Sequence, residues 1–161
     1  SMSHNILKYK NLVEIKNYLN TIKIWIMKNV YVAGPLFDDH EREYLEKIAA
    51  IFETRNYSVF LPHRDAGLVE GEFTVEKKKQ VFDIDMEALS NADIVVALLT
   101  GRDVDSGTAA EIGFAYSANK RLIGINAHNI KILNNFVWGL FQYGENIFED
   151  LQELETALDE E

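Results

Sequence analysis

Residues 93–113, DIVVALLTGRDVDSGTAAEIG, decide the fold of this chain. Their first half is a continuous apolar run, which is typical of a central parallel strand covered on both faces. A loop rich in aspartate follows, and the pattern predicts a helix that begins at Thr108. Gly107 and the helix N-terminus would offer backbone N–H groups to an anion. However, the loop lacks the Gly-Lys-Ser/Thr of a phosphate loop, and Asp103 and Asp105 would repel a phosphate. The stretch therefore predicts a ligand site of another kind.

The same strand-to-helix alternation continues along the chain. Strands are predicted at Asn29–Ala33, 58–62, 93–100 and Arg121–Asn126, and helices at 38–55, 74–91, 108–119, near 134–142 and at 149–158. This spacing indicates an α/β domain with a doubly wound parallel sheet of about five strands and helices on both faces. Ligands of such sheets bind beyond the carboxyl ends of the strands.

Composition excludes several classes of protein. The chain has 161 residues, 47% of them apolar, no cysteine and a net charge of −10. It is long enough for one globular domain with a full core. The absence of cysteine rules out disulfides and thiolate metal sites and fits a reducing cytoplasm. The acidic charge disfavours nucleic-acid binding, and no apolar run approaches the ~20 residues that span a bilayer.

The first residues need separate treatment. Ser1-Met2 resembles a remnant of tag removal. Residues 1–26 are expected to be an N-terminal extension, either a helix or translated upstream sequence. Their apolar positions recur at roughly helical spacing at Leu12, Ile15, Leu19, Ile22 and Trp25. The functional domain is expected to span residues 27–161.

Two carboxylates are candidates for a catalytic pair. Glu111 would lie in the first turn of a helix that begins at Thr108, where the helix dipole would lower its pKa and keep it ionised as a nucleophile. The alternative is a capping box of Thr108 and Glu111. Helical spacing places Asp85 on one face with apolar neighbours, and partial burial there would raise its pKa towards that of a proton donor. The alternative is that Asp85 is a solvated helix residue. A nucleophilic and a protonated carboxyl facing each other form the pair of retaining glycosidases.

Several motifs together resemble the nucleoside 2-deoxyribosyltransferase family. They are YVAGPLF at 31–37, DIDMEALSNADIVVALLTG at 83–101, DVDSGTAAEIGFAYSANKRLIGI at 103–125 and NNFVWG at 134–139. The resemblance covers about residues 28–142. It implies a flavodoxin-like sheet and an enzyme that cleaves the N-glycosidic bond of a 2′-deoxynucleoside and passes the deoxyribosyl group to another base.

The resemblance implies specific roles for three residues in the chemistry. Glu111 resembles the nucleophile that forms a covalent deoxyribosyl-enzyme. Asp85 resembles the acid and base that protonates the departing base and deprotonates the incoming one. Tyr31 is similar to the tyrosine whose hydroxyl orients the nucleophile. Two half-reactions that share one intermediate predict ping-pong kinetics, with no metal or organic cofactor.

The resemblance also implies substrate contacts. Asp105 resembles a contact to a sugar hydroxyl, and Phe37 a base-stacking aromatic residue. Asn134, or Asn135 if the alignment shifts by one position, resembles an asparagine that reaches the sugar of a neighbouring subunit, which implies a homo-oligomer with shared sites. Further candidates for substrate binding follow the predicted strands and are Gly34, Gly107 and His63.

Rival functions remain at this point. A 2′-deoxynucleoside or deoxynucleoside 5′-monophosphate N-glycoside hydrolase would pass the same intermediate to water. The phosphate-binding form is disfavoured because Asp105 stands where such enzymes are expected to carry a serine. A non-enzymatic ligand sensor is disfavoured because a binder needs no acid and nucleophile together. The sequence does not distinguish purine from pyrimidine substrates.

Overall fold

The computed structural model of the chain describes residues 12–19, 27–67, 71, 74–127 and 133–161. The strands are β1 (Asn29–Ala33), β2 (Ser58–Phe60), β3 (Ile94–Leu99), β4 (Arg121–Asn126) and β5 (Ile147–Phe148). The helices are α1 (residues 12–19), α2 (Asp39–Glu53), α3 (Pro62–Asp65), α4 (Val75–Asn91), α5 (Ser106–Ser117), α6 (Asn135–Leu140) and α7 (Leu151–Asp159). None of the helices in these ranges is long and apolar enough to cross a membrane.

The five strands form one all-parallel sheet in the order β2-β1-β3-β4-β5. This is the flavodoxin-like order, and it confirms the predicted fold class. The chain moves from β1 to β2 in one direction and from β3 to β5 in the other. The order therefore reverses between β1 and β3, and a crevice for a ligand is expected at their carboxyl ends.

Side-chain alternation along the strands separates two apolar layers. One layer lies under α2 and α7 and includes Val30, Val32, Ile94, Val96, Leu45 and Leu154. The other lies under α4 and α5 and includes Tyr31, Ala33, Val95, Ala97, Leu89 and Ile112. Every residue of β3 is buried, as the continuous apolar run predicts for a strand covered on both faces. The position of Tyr31 in the second layer directs it to the helices that carry Asp85 and Glu111.

Local capping explains where several helices begin. Asp38 and Glu41 form a reciprocal capping box at the start of α2, with Glu41 N donating to Asp38 Oδ1 at 2.8 Å. Thr74 accepts from Lys77 N at the start of α4, and Asp150 caps α7. Helix α7 therefore begins at Leu151, two residues later than predicted.

The structure also corrects the predicted end of β2 and the predicted start of α5. Strand β2 ends at Phe60 because Pro62 opens the short helix α3, within a stretch that reads from sequence as a loop. Helix α5 begins at Ser106 and not at Thr108, because Asp105 is its N-cap. Of the predicted N-terminal stripe, Leu12, Ile15 and Leu19 lie on α1, whereas Ile22 and Trp25 lie outside the described residues.

Gly34, directly after β1, occupies a position where a side chain does not fit. A Cβ atom there would lie 2.6 Å from Leu45 Cδ2 and 3.1 Å from Leu98 Cβ. We expect Gly34→Ala to lower the free energy of unfolding by about 1–3 kcal/mol through overpacking. The matched control is Gly113→Ala in α5, where an added Cβ would meet nothing within 4 Å. That variant should gain about 0.5–1 kcal/mol from helix propensity. Urea unfolding measures the free energy of unfolding of both variants. The same change in Gly34→Ala and Gly113→Ala would contradict the close packing around Gly34.

Candidate active site

The hydroxyl of Tyr31 donates a hydrogen bond of 2.7 Å to Glu111 Oε1, across 80 residues of sequence. Tyr31 is fully buried at the middle of β1, and Glu111 projects from the second turn of α5. A phenol held in the sheet therefore fixes one carboxyl oxygen of the helix above it. This contact agrees with the relation between the two residues that the sequence motifs imply.

Asp85 lines the same cavity as Tyr31 and Glu111. The cavity has a volume of about 240 Å³, and its remaining lining residues are Phe82, Met86, Leu89, Gly107, Ala110 and Phe114. Residues 82, 85, 86 and 89 are one face of α4, and residues 107, 110, 111 and 114 are one face of α5. The helical spacing of each set thus accounts for the walls of the cavity.

The lining of the cavity is mostly apolar, and this changes the acidity of its carboxyl groups. Burial raises the pKa of Glu111 from 4.5 to about 7. Burial is the largest cause of this shift, like charge on Asp85 and Asp105 contributes to it, and the hydrogen bond from Tyr31 opposes it. Burial also raises the pKa of Asp85 to about 6. The two groups therefore titrate as a pair near neutral pH and share one proton there.

Glu111 and Asp85 differ in their hydrogen bonds, and this difference affects which of them holds the proton. Tyr31 donates to Glu111 and so stabilises its ionised form. The Oδ1 atom of Asp85 is buried and has no hydrogen-bond partner among the residues that the structure describes. A buried carboxylate oxygen without a donor costs more free energy than a protonated carboxyl group in the same place. These hydrogen-bonding environments favour an anionic Glu111 beside an acidic Asp85, and they act against the deeper burial of Glu111, which gives Glu111 the higher pKa of the two.

The expected acidity of Glu111 needs correction. The sequence places Glu111 in the first turn of a helix that begins at Thr108, with a lowered pKa. In the structure the helix begins two residues earlier, and Glu111 lies beyond the reach of the free N–H groups of the first turn. The alternative of a capping box between Thr108 and Glu111 is wrong for the same reason. Desolvation dominates instead and raises the pKa.

Asp105 performs the capping that the sequence left open. Its carboxylate accepts from Gly107 N at 3.0 Å, from Thr108 N at 3.3 Å and from the hydroxyl of Thr108. These bonds hold Asp105 at the mouth of the cavity and close enough to influence Glu111 electrostatically. Its predicted contact to a sugar hydroxyl stays a prediction, and the cap would fix the carboxylate that makes this contact.

The other predicted binding residues lie in different places. His63 is buried on α3 and its Nε2 lies 3.1 Å from Glu46 Oε1 of α2, so it does not belong to the described lining of the cavity. Phe37 is 79% exposed, and Gly34 faces Leu45 on the α2 side of the sheet. Asn134 caps α6 by accepting from Phe136 N at 2.8 Å, and Asn135 is exposed beside it.

Sequence reasoning did not identify several wall residues as part of the site. Met86, Ala110 and Phe114 lack reactive groups, and only their helical spacing from Asp85 and Glu111 could have indicated them. Phe82 also lines the cavity, although its side chain is 59% exposed. Within the described ranges, no group of three or more His, Asp and Glu side chains is arranged to hold a metal ion.

Comparison with known protein families places this site in context. Residues 30–152 match the family described as nucleoside 2-deoxyribosyltransferase. The chain belongs to the nucleoside 2-deoxyribosyltransferase family. The matched region includes every residue of the Tyr31, Asp85 and Glu111 cluster. Enzymes of this family transfer glycosyl groups and bind nucleosides and nucleobases.

Solved structures resemble this family member over most of its length. The 2-deoxyribosyltransferase from Bacillus psychrosaccharolyticus is 25% identical, with a TM-score of 0.67 over 79% of this chain and 90% of its own. A conserved protein from Enterococcus faecalis V583 is 22% identical, with a TM-score of 0.71 over 83% of this chain and 98% of its own. The CMP N-glycosidase from Clostridium botulinum is 21% identical, with a TM-score of 0.57 over 82% of this chain and 99% of its own. The last two likenesses show the shared fold. No curated protein sequence matched significantly.

The raised pKa of Glu111 predicts a pH-dependent loss of stability. Between pH 4.5 and about 7 the unfolded chain ionises this carboxyl group before the folded chain does, so stability falls as the pH rises through that window. The shift from 4.5 to about 7 corresponds to about 3 kcal/mol. Glu111→Gln keeps an acceptor for Tyr31 but removes the charge.

We therefore expect Glu111→Gln to be up to about 3 kcal/mol more stable than the wild type at pH 8 and equal to it at pH 4. Urea unfolding at the two pH values measures the difference. A difference that is the same at both pH values would show that the carboxyl group is not desolvated in the folded protein.

Proposed function

We propose that this chain transfers 2-deoxyribosyl groups between the purine or pyrimidine bases of 2′-deoxynucleosides through a covalent glycosyl-glutamate intermediate. The observation that supports the proposal is that two carboxyl groups in one cavity differ in their hydrogen bonding. Glu111 accepts a hydrogen bond from Tyr31, and Asp85 has a buried oxygen with no partner among the described residues. One group is thus prepared to be an anion and the other an acid, which is the requirement for cleaving a glycosidic bond.

The first half-reaction breaks the bond between the sugar and its base. The Glu111 carboxylate attacks the anomeric carbon while the C–N bond opens, and its charge stabilises the oxocarbenium character of the transition state. Asp85 gives its proton to the departing base, so the base leaves without a negative charge. The products are the free base, an ionised Asp85 and a deoxyribosyl ester of Glu111.

The second half-reaction reverses these roles. The ionised Asp85 removes a proton from a ring nitrogen of the incoming base as that nitrogen attacks the anomeric carbon. The ester bond breaks, Glu111 regains its carboxylate, and Asp85 is again protonated. Throughout both halves, the Tyr31 hydroxyl holds Glu111 Oε1 in place. The net reaction exchanges one base for another and consumes no water.

The lining of the cavity supports a neutral nucleoside as the substrate. Phe82, Met86 and Phe114 offer flat and deformable apolar surface to a heterocycle. No Lys or Arg occurs among the described lining residues, and Asp105 adds negative charge nearby. A dianionic 5′-phosphate would meet repulsion without a compensating cation. The alternative, a deoxynucleoside 5′-monophosphate N-glycoside hydrolase, would need a cationic contact that these residues do not offer.

The proposed active unit is a homo-oligomer in which Asn134 of one subunit reaches the sugar site of another. Asn134 is exposed at the start of α6, where its side-chain oxygen already caps the helix. The side-chain NH₂ group of Asn134 is then left to contact a sugar hydroxyl. Light scattering tests the oligomer, and a strict monomer with full activity would leave Asn134 without this role.

The reaction itself can be tested by following base exchange. Wild-type protein with deoxyinosine and adenine should produce deoxyadenosine and hypoxanthine, detected by liquid chromatography. With deoxyinosine alone, release of hypoxanthine should be much slower than exchange. Release that is equally fast without adenine would indicate a hydrolase, and a preference for deoxyinosine monophosphate would contradict the nucleoside as substrate.

The roles of the two carboxyl groups predict different losses. Glu111→Ala should lower kcat by about 10³-fold or more, because the covalent intermediate is lost. Asp85→Asn should lower kcat by about 10²–10⁴-fold, because the departing base is no longer protonated. The matched control is Asp83→Asn, an exposed carboxylate on the same helix that should leave the rate unchanged. Wild-type rates for Glu111→Ala would refute the mechanism.

The pair also predicts a narrow pH optimum. Below about pH 6 both carboxyl groups are protonated and no nucleophile is present, and above about pH 7 both are ionised and no acid is present. We expect kcat/KM for exchange to be bell-shaped, with its maximum between about pH 6 and 7. A profile that is flat from pH 5 to 9 would contradict a shared proton as the source of activity.

A further inference from the structure

We propose that Phe60 is a positioning residue for the reaction: its ring holds the Tyr31 ring, and thereby the Tyr31 hydroxyl, against Glu111. The inference deepens the proposed function, on which its kinetic consequence rests. Phe60 is the last residue of β2, the edge strand of the sheet, and the resemblance to the family assigns it no role.

The geometry of the two rings supports direct mechanical contact. Phe60 and Tyr31 are register partners on the paired parallel strands β2 and β1, so their side chains stand next to each other on the same sheet face. Their ring centroids are 5.6 Å apart and their planes are inclined by only 17°. This is a stacked aromatic pair within the favourable range of separations.

Phe60 packs against one side of the Tyr31 ring. On the other flank, Tyr31 is in register with Val95 of β3, which is fully buried. The hydroxyl of Tyr31 is at the far end of a rigid ring, so a small rotation of that ring moves the hydroxyl away from Glu111 Oε1. Phe60 restrains such a rotation from the β2 side, where β2 is the last strand of the described sheet.

Phe60 acts on the nucleophile without touching the substrate. It is not one of the described residues that line the cavity of Asp85 and Glu111. The titratable groups that face Glu111 are Tyr31 of β1, Asp85 of α4 and Asp105 at the start of α5. Of these, only Tyr31 favours the ionised form of Glu111. Loosening the Tyr31 ring should therefore make Glu111 harder to ionise and leave substrate affinity unchanged.

The direct test measures the protonation of Glu111 by ¹³C NMR of the whole protein labelled at its glutamate carboxyl carbons. The Glu111 signal is identified by its loss in Glu111→Gln. We expect Phe60→Leu to raise the pKa of Glu111 by about one unit, because a donor to the anion is lost. Phe60→Met, which has a similar volume but no ring, should give the same shift, and Phe60→Tyr should preserve the wild-type value. An unchanged Glu111 pKa in folded Phe60→Leu and Phe60→Met would overturn the proposal.

A matched control separates positioning from general loss of aromatic packing. Tyr57 forms an edge-to-face pair with Phe52 on the α2 side of the sheet, with centroids 5.4 Å apart. Tyr57→Leu should leave the pKa of Glu111 unchanged. In a Tyr31→Phe background, Phe60→Leu should add no further shift. A shift that persists there would show that Phe60 does not act through Tyr31, and this outcome would also overturn the proposal.

Kinetics give the second readout. At pH 7, Phe60→Leu should lower kcat for base exchange about fivefold with KM unchanged, and the acidic limb of the pH profile should move to higher pH. Equal loss in Tyr57→Leu would contradict a specific role. If no variant, including the wild type, exchanges bases, the proposed function fails, while the NMR measurement still decides whether Phe60 controls Glu111.

Discussion

The hydrogen bond from Tyr31 to Glu111 connects the centre of the sheet to the helix above it, and the proposed chemistry of the site depends on this connection. Without it, Glu111 would be a carboxyl group in a mostly apolar cavity, and burial would favour its protonated form. The side chain of Tyr31 is fully buried and cannot turn towards solvent, so its hydrogen bond is a fixed feature of the fold. A nucleophile that must be both desolvated and ionised needs such a donor.

The proposed chemistry depends on a difference between two similar carboxyl groups. Asp85 and Glu111 share apolar neighbours, and burial raises the pKa of both. What differs is the donor: Glu111 has one, and the buried oxygen of Asp85 has none among the described residues. This difference favours the proton on Asp85 and opposes the deeper burial that gives Glu111 the higher pKa. The same physical principle separates nucleophile and acid in other enzymes that cleave glycosidic bonds.

The start of α5 shows how capping shapes the site. Asp105 takes the N-cap, so its carboxylate is held by backbone and hydroxyl donors, and the helix begins at Ser106. This places Glu111 two residues further from the helix end than predicted, beyond the free N–H groups of the first turn. The sequence pattern indicated only a capping box of Thr108 and Glu111. With Asp105 as the N-cap, the Glu111 carboxyl group instead accepts a hydrogen bond from Tyr31.

The sequence by itself determined the parallel sheet and its helices on both faces, and its family resemblance indicated the three residues that the structure brings together at one cavity. Strand and helix periodicity depend on neighbours along the chain, and the apolar run of β3 permitted only a buried strand. The two-residue strand β5 was too short to give a pattern and is defined by its pairing with β4. The tertiary structure alone decided the acidity of Glu111, the place of His63 against α2, and the stack of Phe60 on Tyr31. Desolvation, long-range hydrogen bonds and strand register join residues that are far apart in sequence, and no local pattern contains them.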